Sequence, residues 1–514
     1  MTDIRTFVPT AQAYVAGKFD AYMRLMAWEN FISRRRNRSR MERYNDCRNY
    51  YYADNMPQDN MQLPLSINYT KIIANLHTAF LWGQWEPQTT IVTWAVKMRA
   101  GKKGDKEQVT AIQEWLNELF EGYEEILYAA GLNQSIYGDA ILVPRWDALQ
   151  ERTYPESILP EYFHARWSPH DIANIPEVIV SYHIARQDAE QEFGTPGNLD
   201  EFKHPAGISS YMREYAIYWE WWTEDGVEIY IDNMLVRNNP NPYASTQGAG
   251  LLPFVHIPNI RAGGDFYGMS DIESILPLQD ELNRKMMDSS DITGYSAHPI
   301  VLVQKYFGKV NDLPVGPDAV WDMGRDGEAS YLSGDKPPVD IAVYIAHVMQ
   351  IIQDLTFLPK TAYGHTDETE RSAISLAMKM LPTTNHVTWK RLLWSAGLRQ
   401  YAYIAARLEE INGTLPFNRS YLKKVLLEPQ FAPILPKDRA GQIVENVSLV
   451  TNGIRSTERA LEDIGERHVA EEVERIFADL TKKAKLMKLN LGGANARGPG
   501  GSPDTGAESK AESG

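Results

Sequence analysis

Residues 253–381 constrain the fold most, because two segments with helical apolar spacing flank an insert of short strands and turns, and a polar loop follows the second. The first helix is expected to open at Ser270. Ser270 with Glu273 fits a capping box, and Asp271 suits the positive end of the helix dipole. Ile272, Ile275, Leu276, Gln279, Leu282 and Met286 form its stripe, Pro277 is expected to kink it, and it fades near Thr293 and Gly294. Residues 299–335 read as strands and turns. Asp340 can cap the second helix, whose apolar face carries Ile341, Tyr344, Ile345, Val348, Ile352 and Leu355. Pro359 ends it. The polar loop over 360–371 contains Gly364, where the backbone can bend.

Other parts follow the same logic. Residues 1–45 read as helix, with Arg34, Arg35, Arg36, Arg38, Arg40 and Arg43 as a basic cluster. That cluster is either a solvated or subunit-bridging face, or a contact with nucleic acid or an acidic neighbour. Further helices are expected near 67–83 and 107–135, with a strand at 88–96. From Gly138 the texture turns to β-branched and aromatic runs, and Asp225-Gly226 marks a hairpin. A long helix over 372–412 is expected to break at Pro382. A linker with Pro416, Pro429, Pro433 and Pro436 leads to a last helical region over 437–489. From Gly492 the composition is that of a disordered tail.

Length and charge limit the function. A chain of 514 residues can hold several domains and a large core. No apolar run is long enough to span a bilayer, and the N-terminus lacks a basic segment followed by an apolar core, which argues against a signal peptide. The single cysteine, Cys47, fits a reducing compartment and excludes an intrachain disulfide framework. A net charge of −15 argues against a broad grip on nucleic acid, which rests on Lys and Arg neutralising phosphates. There is no GxxxxGK[ST], HExxH, CxxC or GxSxG pattern. His164 and His170 read as ordinary histidines rather than metal ligands. No catalytic, cofactor-binding or metal-binding residue is assigned, and no cofactor is implied.

The motifs and their order resemble the portal proteins of tailed double-stranded DNA bacteriophages, in particular the branch from phages of Gram-positive hosts. The resemblance covers roughly residues 30–480. It rests on Tyr50-Tyr51, Leu81-Trp82-Gly83, Ser135-Ile136-Tyr137-Gly138-Asp139-Ala140 and Pro253-Phe254-Val255. It continues through Gly268-Met269-Ser270-Asp271-Ile272-Glu273, Leu278-Gln279-Asp280-Glu281-Leu282-Asn283 and Val450-Thr451-Asn452-Gly453-Ile454-Arg455-Ser456. One departure is Ser372-Ala373-Ile374-Ser375-Leu376, where relatives often carry Gly at the second position. Alanine favours helix there, so the loop before it should end earlier or be stiffer.

The resemblance implies an α+β portal architecture. A wing over 1–269 would lead to stem helices at 270–294 and 340–357, which flank a small α/β clip at 295–339. A tunnel loop would follow at 358–372, a long kinked wing helix and linker at 373–436, and an α-helical crown at 437–490. It also implies a homo-dodecameric ring at one capsid vertex of the virion, assembled in the host cytoplasm, with no membrane partner. Double-stranded DNA would pass through it without sequence specificity. Terminase large subunit, major capsid and scaffolding proteins, and adaptor and tail proteins would be its partners. Lys360, Gly364, His365, Thr366, Asp367, Glu368, Glu370 and Arg371 would form the tunnel loop facing DNA. Arg284 and Lys285 would lie on the channel face of the stem. Lys305, Lys309, Trp321 and Arg325 would serve clip docking, although Trp321 packing within or between clips is an equal reading. An acidic ring suits a sliding duplex, and an ATPase acting in trans suits the missing nucleotide motif. The alternatives are another head-tail connector protein, or an enzyme with an unrecognised carboxylate site.

Overall fold

A computed structural model of the chain describes residues 13–34, 38–54, 67–83, 91–99, 105–168, 170–172, 174–193, 215–231, 234–243, 251–297, 300–304, 326, 328–332, 340–365, 373–435, 439–464 and 469–494. The fold is α+β. Its contacts divide it into two units, Met1–Leu435 and Pro436–Gly514.

The first unit opens with helices α1 (Ala13–Ile32), α2 (Arg40–Tyr52) and α3 (Tyr69–Trp82). The continuous helix expected over 1–45 is therefore broken, since Ser39 starts a new one. Its side chain accepts from the Glu42 amide while Glu42 returns the bond to the Ser39 amide, a full capping box. Strand β1 (Val92–Met98) precedes α4 (Lys106–Glu118) and α5 (Glu124–Tyr137), with a turn where one helical stretch was expected. Strands β2 (Asp139–Asp147) to β5 follow: β3 (Arg152–Ile158), β4 (Phe163–Arg166) and β5 (Glu177–Ala185). After α6 (Arg186–Phe193) come β6 (Tyr215–Thr223), β7 (Gly226–Ile231), β8 (Met234–Pro240) and β9 (Val255–Pro258).

Strands β4 to β8 form one antiparallel sheet in chain order, and the Asp225-Gly226 hairpin joins β6 to β7 as the sequence predicts. A second sheet has the order β3-β2-β9. Trp219 and Tyr230 stack across β6 and β7 at 3.9 Å.

Helix α7 (Leu276–Ala297) and helix α8 (Asp340–Thr356) flank the antiparallel strands β10 (Ile300–Gln304) and β11 (Glu328–Leu332). Then come α9 (Ala373–Lys379), α10 (Leu381–Asn412) and β12 (Val425–Phe431). The break between α9 and α10 falls at Met380, with Pro382 inside the first turn of the new helix, where its missing N–H costs nothing. The proline-rich linker is a correction. Its middle is strand β12, which pairs antiparallel with β1 and places Pro429 opposite Trp94.

Two larger cores organise this unit. One gathers α4, α10, the three-stranded sheet and the β1–β12 pair around residues such as Phe120, Ile141, Trp394 and Tyr401. The other joins α2, α3 and α5 to α7 and α8 through Tyr44, Ile73, Ile275, Leu282, Val348 and Ile352. The second unit contains α11 (Arg439–Thr451), α12 (Thr457–Ile464) and α13 (Val469–Ala494). The turn between α11 and α12 contains Gly453 at φ 70° and is pinned by Arg455, which pairs with Asp463 and donates to Asn446. Helix α13 passes the point at Gly492 where a tail was expected to begin.

Candidate functional site

Two of the motifs that carry the resemblance, Ser135–Ala140 and Gly268–Glu273, lie far apart in sequence and meet at the root of the α7–α8 pair. Glycine makes the approach possible. A Cβ on Gly268 would sit 2.1 Å from the Gly138 carbonyl oxygen, and Gly138 itself has φ 94°. Neither position tolerates a side chain. Across this contact Asn259 N–H donates to Gly138 O at 2.7 Å, Gly268 N–H to Asp139 Oδ1 at 2.9 Å, and Asp271 N–H to Ser135 O at 3.0 Å.

Asp271 is the centre of this anchor. Its buried carboxylate accepts from Ser135 Oγ at 2.6 Å and from Asn259 Nδ2 at 2.9 Å, and it carries the buried ammonium of Lys390 from α10. Burial alone would raise its pKa, yet Lys390 and the neighbouring histidines hold it well below the usual carboxylate range. His77 is pushed down to about 3, chiefly because its burial disfavours the imidazolium. The expected capping box at Ser270 is a correction. Helix α7 begins at Leu276 after a short 3₁₀ turn over Glu273–Ile275, and Ser270 donates to Ser135 O instead. Pro277 lies in the first turn of α7 and kinks nothing.

His77, Asp271 and His386 bring three donor atoms within 4.8 Å of one another, so they are the residues of this site that could hold a cation. Lys390 already supplies the positive charge at Asp271, and Ser135 and Asn259 fill the remaining acceptor directions. The constellation is chemically an ion-pair hub.

The Leu278–Asn283 motif fastens α7 to the start of α3. Gln279 accepts from Tyr69 N–H at 3.0 Å and donates to Ile67 O at 2.6 Å, Asn283 accepts from Ile67 N–H at 3.2 Å, and Tyr50 donates to Asp280 at 2.5 Å. On α8, Val348 and Ile352 are buried and Ile345 is partly buried. The predicted apolar face is wider than the packed one, because Tyr344 and Leu355 are exposed together with Val343. Arg284 and Lys285 are each drawn to an acid on their own helix, Glu281 and Asp288, both at 3.0 Å.

The loop after α8 is held at its base. Phe357 leaves the helix at φ 57°, its carbonyl accepts from Thr383 Oγ1 at 2.5 Å, and its ring stacks on His386 at 5.0 Å. Thr361 Oγ1 reaches Met380 Sδ at 3.4 Å. The chain thus departs and returns at one place. The expectation that the loop projects from Lys360 needs correcting. Lys360–Tyr363 is a 3₁₀ turn, with Ala362 and Tyr363 packed on the second core and Gly364 closing it at φ 82°. Lys360, Gly364 and His365 are exposed. Thr366, Asp367, Glu368, Glu370 and Arg371 lie outside the described residues, as do Lys305, Lys309, Trp321 and Arg325 of the insert.

The basic cluster of the N-terminal region is not a single solvated face. Arg40 is buried, paired with Glu29 at 2.9 Å, and donates to the carbonyls of Pro160 and Phe163. His164 joins the same buried group at 2.7 Å from Glu29. Arg43 is buried as well, and Arg38 pairs with Asp46. Arg35 and Arg36 lie outside the described residues. Sequence reasoning missed Lys390 and His386 because their partner Asp271 is more than 100 residues away, and Asn259 because its bonds to Met269 and Asp271 depend on the path of an irregular loop. A charged residue in register with Val387, Trp394, Leu398 and Tyr401 on the buried side of α10, as Lys390 is, was the available signal.

A helix pair flanking an insert is thus rooted in a buried polar hub and pinned where the chain leads into the next helices. Residues 32–485 match the family model described as phage portal protein, SPP1 Gp6-like. The chain belongs to that family of phage portal proteins, a structural and non-enzymatic kind. Among curated proteins, none matches it. Among the described residues no helix is long and apolar enough to cross a membrane.

Proposed function

We propose that the chain is the repeating subunit of a twelve-fold ring at one capsid vertex, through which double-stranded DNA enters during packaging and leaves at ejection. Membership of the portal family supports this reading, and the observation that carries it is the α7–α8 pair with its pinned loop. In this reading the wing is 1–269, and α7 and α8 are the stem. The clip is the insert at 295–339, with Lys305, Lys309, Trp321 and Arg325 as its docking residues. It receives first the terminase large subunit, then adaptor and tail proteins, while capsid and scaffolding proteins surround the ring. Helices α9 and α10 are the long kinked helix, and 437–490 is the crown.

The tunnel loop begins at Gly364 and runs to about Arg371. Its acids, Asp367, Glu368 and Glu370, offset Lys360 and Arg371, so it touches DNA without gripping it. Twelve copies of a chain with net charge −15 make a strongly acidic wall along which phosphates slide. Arg284 and Lys285, each shared with a neighbouring acid, are suited to weak phosphate contacts. A cysteine at Thr366 is expected to crosslink to DNA trapped in filled heads, while one on the outer wing is not. If a channel-facing stem cysteine crosslinked and the Thr366 one did not, the loop would not lie at the constriction.

A further inference from the structure

The hairpin joining β2 to β3 ends in a built knob. Leu149 stands 96% exposed at its tip. The turn beneath it is rigid: Asp147 Oδ1 accepts from the amides of Leu149 at 2.8 Å and Gln150 at 3.2 Å, and Glu151 adopts φ 51°. Arg152 folds back over the Tyr123 ring and donates to Glu121 O at 2.8 Å, which bolts the hairpin to the turn between α4 and α5. A fully exposed leucine on a pre-ordered turn loses little entropy when it docks. Two acidic residues of the same turn, Asp147 and Glu151, form an acidic collar beside it.

A complementary socket lies elsewhere on the first unit. It is a groove of about 420 Å³ between α10 and β12, with Leu251, Ile404, Leu426 and Leu427 as apolar walls and Arg99 and Arg399 at its sides. Arg99 is held there by a 2.9 Å bond from its Nε to the Val425 carbonyl. Knob and socket belong to different sides of α10. The hairpin is tied to that helix through Glu409, which accepts from Thr153 N–H at 3.4 Å, and Gln400 lines the groove. At about 100° per residue, Gln400 and Glu409 point in opposite directions.

We infer that Leu149 of one copy seats in the Leu251–Ile404–Leu427 groove of a second copy, with the acidic collar meeting Arg99 and Arg399. Two different, complementary patches on one protomer are what a head-to-tail ring requires, with the rotation between neighbours setting the copy number at which it closes. This inference rests on the ring reading above and specifies one of its contacts.

The test is a paired cysteine variant of the full chain, Leu149→Cys with Leu251→Cys, oxidised and run without reductant beside each single variant and beside electron micrographs of the same samples. The paired variant is expected to give a ladder of covalent multimers, and the single variants are not. Leu149→Asp, in which circular dichroism is expected to be unchanged, should raise the concentration needed for half-assembly at least about tenfold. Glu151→Arg should weaken assembly, and Arg399→Asp should restore it. Rings without a ladder, together with normal assembly of Leu149→Asp, would overturn the knob-and-socket contact and leave the ring reading intact. An unmodified chain that forms no rings would overturn both.

Discussion

Asp271, in the loop that leads into α7, and Lys390, on α10, form a buried ion pair that ties the root of the helix pair to the long kinked helix. Removing one partner strands a charge in the core. Lys390→Met and Asp271→Asn are each expected to lower stability by about 3–5 kcal/mol in urea unfolding. A loss below about 1 kcal/mol in both would show that the pair does not anchor the fold.

His77 makes the same hub sensitive to acid. An unfolded-chain histidine titrates near its reference value of about 6.5, while in the fold burial pushes His77 down to about 3. Between those values the unfolded chain holds the extra proton, so this group's contribution to stability is lost as pH falls through that window. His77→Gln is expected to flatten the stability curve between about pH 6.5 and pH 4.5 by up to one proton's worth of slope. An unchanged slope in that variant would mean that His77 is protonated in the fold.

Glycine at the crossing of the two motifs is a steric requirement. Gly268→Ala would drive its methyl group into the Gly138 carbonyl and the Asn259 backbone. The variant is expected to be insoluble or to unfold at least about 3 kcal/mol more easily, since backbone on both sides leaves no room for relaxation. By contrast, Gly397 on α10 faces the Ile257 side chain rather than backbone, at 2.4 Å. Gly397→Ala is expected to cost about 1–3 kcal/mol alone and to be close to neutral in an Ile257→Ala background, as a double-mutant cycle reads directly. Equal costs in the two backgrounds would place the clash elsewhere.

Within the helix pair, Ile352 is buried and Val343 is not. Ile352→Ala is expected to cost about 2–5 kcal/mol in the isolated protomer. Val343→Ala should leave protomer stability within about 0.5 kcal/mol. The reverse order would show that the packed and open faces of α8 have been exchanged.

In the proposed reading the insert between the helices serves packaging. Lys305→Glu, Lys309→Glu and Arg325→Glu together are expected to leave rings intact and to stop DNA packaging in a reconstituted prohead assay. Normal packaging by that variant would remove these three residues from the docking surface.

Local patterns in the sequence disclosed much of the fold. The Asp225-Gly226 turn, the break near Pro382 and the packed residues Val348 and Ile352 all follow from turn chemistry, proline geometry and helical spacing. What escaped depends on distant partners. Strand β12 looked like a linker because its pairing with β1 spans more than 300 residues, and pairing outweighs the penalty of Pro429. Ser270 and Glu273 fit a capping box, but Ser135 competes for Ser270 and Lys390 for Asp271. Arg40 sat in a basic run that read as a solvated or bridging face until Glu29, His164 and two carbonyls are seen to enclose it. The Leu278–Asn283 motif could be matched to a family without its reason, which is that Gln279 and Asn283 satisfy the backbone at the start of α3.

Closure of the chain into a ring around a DNA channel is what the proposed function requires above all. Negative-stain images of the purified full-length protein test it most directly. Rings with a central hole are expected, with a particle mass many times that of the 58.4 kDa chain. Compact monomers at every concentration, with no annular particles, would contradict it.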